Sequence, residues 1–285
     1  MLQENEPRLP TDIEREVFET VALIFPSMIP TLLLVARRVL IWTEPLLYRV
    51  LGDPRGQSYK SLATALLATS RSKPPSFLHK SVRHLFLDMS SEWTDEEALQ
   101  VLRLCTGLVN LLALPPYSNP RLLPILGVLH LRRLSTSLET LFGNRAEIDL
   151  RHPLFSSLTH LDIFDEGIAS NSLHVQGLCA LPALTHLCLN NDVPWGAVKD
   201  LLAGCRSLSV FVNLWAYIRF DRAKAVARSP PVTDVRFVVA VFADYWTDWE
   251  TGAYGGNDFW KSAEEFIELK RRGELPETCY LLEDA

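Results

Sequence analysis

One apolar hexad recurs along most of the chain, and its nearly constant spacing limits the folds open to the sequence. The hexad has the form Leu-x-x-Leu-x-Leu, and successive copies begin 23 to 27 residues apart. Two copies, LTHLDI and LTHLCL, share four of their six residues. Such a period predicts an array of units that each contribute a short strand and a helix and are not stable alone. The copies begin at Val82, Leu108, Leu131, Leu158, Leu184, Leu208 and Val232.

The segments between the hexads carry the helix signals that this architecture requires. Thr94 and Glu97 form a capping-box pattern before an apolar stripe. Pro194 suits a first helical turn, and the stripe that follows it ends at Gly204. Four prolines crowd residues 115–124, and they predict an irregular connection at that point.

The alternation of strands and helices predicts an α/β fold, with a solenoid of about seven strand-helix units over residues 81–243. Because the last unit of an array needs a cover, residues 244–285 are expected to form an acidic C-terminal capping helix. An apolar stripe marks this helix, and aromatic residues before it are expected to seal the end of the array. The stripe consists of Phe259, Trp260, Ala263, Phe266 and Ile267, and the aromatic residues are Tyr245, Trp246, Trp249 and Tyr254.

Charge and composition exclude several classes of protein. The chain has 34 acidic and 28 basic residues, which gives a net charge of −6, and no basic surplus is available to bind nucleic acid. The longest apolar stretch, residues 21–35, contains two prolines and is too short to cross a bilayer. The first residues lack a signal-peptide pattern, and the five cysteines show no CxxC pair. We therefore expect a cytoplasmic or nuclear protein without nucleic-acid or membrane partners.

No sequence pattern predicts catalysis or a cofactor. The chain lacks a glycine-rich phosphate loop, a nucleophile elbow and a His-Glu-x-x-His helix. His160 and His186, with Asp162 and Cys188 two residues further on, are residue types that bind metals. Repetition of Leu-Thr-His-Leu accounts for this arrangement better than a metal site does. We expect a protein that is not an enzyme and holds neither metal nor cofactor.

Side chains at hexad positions three and five should project from one face of the sheet, called the concave face below. Positions one, four and six turn inward, and neighbouring strands lie about 4.8 Å apart, so equivalent side chains form rows. The middle of these rows is polar, which favours a protein or peptide ligand over a small metabolite. The predicted substrate-binding residues are Asn110, Arg133, His160, Asp162 and His186.

Residues 9–51 belong to no repeat, and their pattern predicts three short helices. Thr11 and Glu14 form a capping-box pattern at the start of the first helix. Two prolines separate it from a second helix, TLLLVARRVLIW, and Pro45 permits a third, EPLLYRVL. A domain of about 43 residues is too small to bury all its apolar faces, so we expect it to dock on something else.

The same segment resembles an F-box, and the spacing of the hexads is similar to that of leucine-rich repeats. The order of these parts is similar to that of the F-box/leucine-rich-repeat families, particularly the divergent set abundant in fungi. The F-box elements are a Leu-Pro pair, an acidic residue with Ile, a Val-Phe pair, a Leu-rich run, Arg, Trp and a closing Leu-Tyr. They stand at Leu9-Pro10, Asp12-Ile13, Val17-Phe18, Leu32-Leu33-Leu34-Val35, Arg37-Arg38, Trp42 and Pro45-Leu46-Leu47-Tyr48.

The resemblance implies an F-box-like domain at residues 1–51, a linker with a possible short helix at 52–80, and leucine-rich repeats at 81–243. It further implies a substrate-recognition subunit of a cullin-RING (SCF-type) ubiquitin ligase, which binds the Skp-type adaptor through the F-box and a protein substrate through the repeats. The alternative is a non-catalytic leucine-rich-repeat scaffold in which a decayed F-box is only the N-terminal cap. The implied adaptor-binding residues are Leu9, Pro10, Ile13, Val17, Phe18, Leu32, Leu33 and Val35.

Overall fold

The computed structural model of the protein describes residues 9–52, 59–88 and 93–282. Within these ranges a parallel sheet of nine strands runs through the molecule, and the order of the strands in the sheet equals their order in the chain. The predicted α/β class is therefore confirmed, and the sequential order is solenoid-like. The strands are β1 (Val50–Leu51), β2 (His84–Leu87), β3 (Asn110–Ala113), β4 (Arg133–Thr136), β5 (His160–Ile163), β6 (His186–Asn190), β7 (Val210–Ala216), β8 (Phe237–Phe242) and β9 (Leu281–Leu282).

Thirteen α-helices accompany these strands in the described ranges. Short 3-10 turns replace part of the helix in several units, including the proline-rich connection after β3, which is irregular as predicted. In the part of the chain that the structure describes, no helix has the length and apolar character that a bilayer crossing needs. The helices are α1 (Thr11–Ile24), α2 (Ile29–Leu32), α3 (Arg37–Leu47), α4 (Tyr59–Ser72), α5 (Ser76–Ser81), α6 (Asp95–Leu104), α7 (Leu123–Leu126), α8 (Leu138–Phe142), α9 (Ser172–Cys179), α10 (Trp195–Gly204), α11 (Phe220–Arg228), α12 (Tyr245–Ala253) and α13 (Phe259–Arg271).

The hexads place their apolar positions in the main core. Positions four and six lie on the face of the sheet opposite the concave face, called the convex face below. Their side chains, such as Leu85 and Leu87 in β2, are fully buried there against the helices that connect the strands. The capping box predicted at Thr94 and Glu97 is present at the start of α6. Local patterning therefore determines both the strands and several of the helices between them.

The last hexad is in a different register from the one predicted. Phe211, at position four of the sixth hexad, pairs with Phe237 rather than with the expected Val235. The seventh unit therefore begins two residues later, at Asp234. Val232, Val235 and Phe237 fit the apolar hexad better than Asp234, Phe237 and Val239, so the apolar pattern alone favoured the wrong register.

The N-terminal helices differ from the expected three in two ways. The predicted second and third helices are divided differently, because α2 has only four residues and α3 continues through Pro45. The capping box predicted at Thr11 is absent, since Pro10 precedes the helix and no side chain caps it. Glu14 instead pairs with the Arg38 guanidinium, with Nη2 and Oε1 2.7 Å apart, and this pair joins α1 to α3.

The predicted linker contributes to the array instead of separating two domains. Residues 53–58 lie outside the described part of the chain, but α4 and α5 occupy most of the remainder. Ala63 and Leu66 of α4 are fully buried in the main core. Because β1 pairs with β2, the segment from β1 to α5 forms a first unit that the hexads did not reveal.

The C-terminal segment covers more than the end of the array, which is where it was expected to lie. It forms two helices, α12 and α13, that lie across the concave face before β9 pairs with β8. Trp246 of α12 packs edge-on against Phe86 of β2, with ring centroids 4.1 Å apart. Ile267 of α13 packs in a cluster with Val238 of β8. The pair of helices therefore extends from the first units to the last, and both faces of the sheet are covered.

The close approach of α12 depends on a glycine in the first unit. A Cβ on Gly52 would lie 2.8 Å from Cζ3 of Trp246 and 2.8 Å from Cβ of Phe86. Any larger residue at this position would push α12 away from the sheet.

Candidate interaction site

The five predicted substrate-binding residues lie together, as the repeat spacing requires. Asn110, Arg133, His160 and His186 occupy successive strands in direct register, and Asp162 lies two residues beyond His160 on the same face. The structure also places α12 and α13 directly over them. These residues therefore contact the protein's own C-terminal segment.

Four of these residues contact side chains of the segment above them, and the contact of Asp162 with Tyr245 is described below. Arg133 Nη1 donates to the buried Asp258 carboxylate at 2.7 Å. His186 Nε2 lies 2.9 Å from Glu264 Oε1. The rings of His160 and His186 stack 4.0 Å apart and nearly parallel, and Trp260 packs edge-on against both.

Burial lowers the pKa of three histidines on this face below the ordinary value. Burial, assisted by nearby positive charges, lowers the pKa of His160 to about 2 and that of His84 to about 3. Burial also lowers the pKa of His186, although the Glu264 carboxylate opposes this effect. The histidines consequently act as packed aromatic rings and offer no positive charge to an acidic ligand.

Asp162 has all of its polar contacts inside the protein. Its side chain is almost completely buried, and it accepts hydrogen bonds from the Tyr245 hydroxyl and, at 2.7 Å, from Asn190 Nδ2. Burial raises the pKa of Asp162 to about 6, while the hydrogen bonds from Tyr245, Cys188 and Asn190 oppose that rise. Asp162 therefore fixes the start of α12 against β5 and is not available to a ligand.

Apolar packing decides whether the C-terminal helices could leave this face. Six large apolar side chains of α12 and α13 are buried, and exposing them would cost about 9–18 kcal/mol at about 1.5–3 kcal/mol each. This cost is comparable to the whole stability of a typical domain, about 5–15 kcal/mol. The concave face is thus part of the core, and the prediction that it is an open substrate surface needs this correction. The six side chains are Trp246, Trp249, Phe259, Trp260, Phe266 and Ile267.

The space that remains between the helices and the predicted substrate-binding residues is too small for a ligand. A cavity of about 10 Å³ lies between Asn110, Arg133, Asp248 and Trp249, and this volume is about that of one water molecule. In the described ranges no three His, Cys, Asp or Glu side chains converge in a way that could hold a metal ion. The part of the concave face that holds the predicted substrate-binding residues therefore has no room for a small ligand.

Exposed apolar side chains are concentrated instead on the N-terminal helices. We call the exposed apolar residues between positions 9 and 47 the N-terminal apolar surface. The structure leaves five predicted adaptor-binding residues exposed, half-buries Phe18 and Leu33, and buries Leu32. Leu32 packs with Ala22, Ile29 and Val39 in a separate small core beneath α1 to α3. The five exposed residues are Leu9, Pro10, Ile13, Val17 and Val35.

One apolar stripe of this surface follows α1. Ile13, Val17 and Ile24 are four and seven residues apart, a spacing that brings them to one side of a helix. Their exposed fractions are 42%, 48% and 62%. Ala22 on the opposite side is buried, and the pair between Glu14 and Arg38 holds α1 against α3. The stripe is therefore an ordered surface that nothing in the described part of the chain covers.

Several residues of this surface were missing from the sequence prediction. Phe25, Leu34 and Ile41 are all more than half exposed, and Leu34 is 87% exposed. They belong to the apolar stretches around Pro26 and before Trp42. Leu34 belongs to the Leu-rich run of the F-box resemblance, but none of the three was among the predicted adaptor-binding residues. Phe25 follows α1 and Ile41 lies within α3.

The comparisons with known proteins leave the family open. No protein-family model matches the chain, and no curated protein is similar to it. Among the surfaces described above, the N-terminal apolar surface exposes the most large apolar side chains, and such exposure is typical of an interaction surface.

Proposed function

We propose that the protein is a non-catalytic, intracellular recognition subunit that docks on a Skp-type adaptor of a cullin-RING ubiquitin ligase through its N-terminal helices. The repeat array would present a protein substrate to the other subunits of the ligase. Its contribution to ubiquitin transfer would be proximity, because holding a substrate lysine near the charged enzyme raises the effective concentration of that lysine.

The observation that carries this proposal is the concentration of exposed apolar side chains on α1 to α3. Twelve of the sixteen large apolar side chains that are exposed in the described ranges lie between Leu9 and Leu47. Contiguous apolar exposure of this kind is typical of a protein-protein interface. The F-box resemblance of the same residues suggests the Skp-type adaptor as the partner.

A substrate surface, under this proposal, lies on the convex side of the array. A groove of about 780 Å³ runs between residues 146–156 and α9. Apolar Leu150 and Leu173 line it together with polar His152 and Gln176. This mixture suits a peptide segment with both apolar and polar side chains.

The second candidate is a scaffold in which the N-terminal helices only cap the array. The contacts between α3 and the first unit favour it. Tyr48 packs edge-on against Phe77, with ring centroids 5.4 Å apart, and Lys73 pairs with Glu44 at 2.7 Å. The chain then continues directly into β1, which pairs with β2, and this is the arrangement expected of an N-terminal cap.

Quantitative adaptor binding separates the two candidates. The purified protein should bind a Skp-type adaptor, and the double variant Ile13→Asp/Val17→Asp should bind at least about 100-fold more weakly. Each buried interface anchor is worth about 2 kcal/mol or more, and a charge in its place must be desolvated. Titration calorimetry measures the difference.

The matched control is Leu173→Asp, which alters an exposed apolar residue of α9. It should bind the adaptor like the unchanged protein, and circular dichroism should be the same for all three proteins. Absence of binding by the intact protein, where an established F-box protein binds, would favour the scaffold. Equal binding by the double variant would show that the docking surface lies elsewhere.

A further inference from the structure

Two cysteines of successive units meet on the convex side of the array. Cys179 is the last residue of α9 and Cys205 directly follows α10, so the ends of neighbouring helices bring them together although they are 26 residues apart. Their Sγ atoms are 2.6 Å apart, and both cysteines are free thiols. From this juxtaposition we propose that Cys179 and Cys205 are a redox-modification site that closes into an inter-repeat disulfide on exposure to hydrogen peroxide.

The surroundings of the pair favour this contact. A Cβ on Gly204 would lie only 2.9 Å from Cys179 Sγ, so glycine at this position leaves room for the Cys179 side chain. Cys205 is buried, whereas Cys179 is partly exposed. The pair therefore combines one sulfur that an oxidant can reach with a second sulfur that is shielded and already in position.

The other cysteines lack this combination. Cys105 and Cys188 are completely buried, and burial raises the pKa of Cys105 to about 12. Cys279 is partly exposed, but it packs near α13 rather than beside another cysteine. Of the cysteines, all five of which lie in the described ranges, only Cys179 and Cys205 have a sulfur-sulfur contact.

The reaction proceeds in two balanced steps. Cys179 sulfur, as the thiolate, attacks one oxygen of hydrogen peroxide, the O–O bond breaks, and hydroxide leaves and is protonated to water. Cys205 sulfur then attacks the sulfur of the resulting sulfenic acid, the S–O bond breaks, and a second water leaves with the Cys205 proton. Two thiols and one peroxide thus give one disulfide and two waters. Burial raises the pKa of the Cys205 thiol, which assigns the first attack to Cys179.

The experiment treats the full chain with hydrogen peroxide and follows free thiols, peptide cross-links and thermal unfolding. The account expects loss of two thiols and a cross-link between the fragments that contain Cys179 and Cys205, both reversed by dithiothreitol. A cross-link across 26 residues should raise the melting temperature by about 5–10 °C. Cys179→Ser and Cys205→Ser should each abolish the cross-link and the shift, while Cys279→Ser should retain both.

Two further variants keep the proposal open to refutation. Cys205→Ala serves if the serine variant fails to fold, and Gly204→Ala should slow cross-linking because its methyl group displaces Cys179. Over-oxidation of Cys179 to sulfinic acid without any cross-link would overturn the proposal. A cross-link that persists in Cys205→Ser, or one that leaves the melting temperature unchanged, would also overturn it.

Discussion

Replacing Trp260 with alanine is expected to lower the free energy of unfolding by about 3–5 kcal/mol, the range for removal of a buried aromatic side chain. Trp260 lies on α13, and its ring packs edge-on against His160 and His186, with centroids 5.3 Å and 5.7 Å away. If the segment were a solvated cap, the same substitution would have a small effect. Urea unfolding followed by circular dichroism measures the difference.

The control for this experiment is Ile218→Ala, because Ile218 is 92% exposed. Its substitution should change the free energy of unfolding by less than about 0.5 kcal/mol. Similar, small effects of the two substitutions would contradict the placement of α13 in the core.

Replacing Asp162 with alanine is expected to lower the free energy of unfolding by about 2–4 kcal/mol. The change removes two buried hydrogen bonds, because the Tyr245 hydroxyl keeps only Ser135 Oγ and the Asn190 amide keeps only the Ile163 carbonyl as acceptors. Each lost bond to the carboxylate costs about 1–2 kcal/mol. On an open ligand face, Asp162→Ala would weaken ligand binding and leave stability nearly unchanged. Chemical denaturation of the purified variant decides between these outcomes.

Asp192→Ala is the matched control for Asp162. Asp192 also makes a charged contact, with Arg222, but both side chains are 64% exposed. Surface pairs of this kind contribute about 0–1 kcal/mol. A loss of stability at Asp162 no larger than that at Asp192 would show that α12 is not fixed to β5 in the way described.

The repeat pattern predicted the strands because the signal is local. In each hexad the apolar positions alternate over a few residues and face one core, so β2 through β7 follow directly from the sequence. The same reasoning found the apolar stripe of α13 residue by residue, including Trp260 and Phe266. It gave no information about which surface the stripe packs against. Amphipathicity shows that one face of a helix is buried, but it does not identify the surface that covers that face.

A signal for the covered concave face was nevertheless present. Strands buried on both faces read as nearly continuous apolar runs, whereas strands with one open face alternate. The sequences of β7 and β8, VFVNLWA and FVVAVF, are apolar at successive positions. Apolar side chains at Val210 and Val212, on the concave face, already required a cover of their own.

In the N-terminal segment the sequence predicted the helices but not which of their apolar side chains are exposed. Its composition predicted helices with surplus apolar residues, and α1 begins and ends close to the expected positions. Which residues remain exposed depended on the short α2 turn and on the contact between α1 and α3. Leu32 and Leu34, two residues apart in one run, are respectively buried and 87% exposed for that reason.

Hydrogen-deuterium exchange with and without a purified Skp-type adaptor tests the central claim most directly. That claim assigns partner binding to the N-terminal apolar surface and assigns the concave face to the core. The account predicts slow exchange in α13 before the adaptor is added, no change there afterwards, and adaptor-dependent protection confined to residues 9–47. Rapid exchange in α13 of the free protein, or unchanged exchange in residues 9–47 at saturating adaptor, would contradict it.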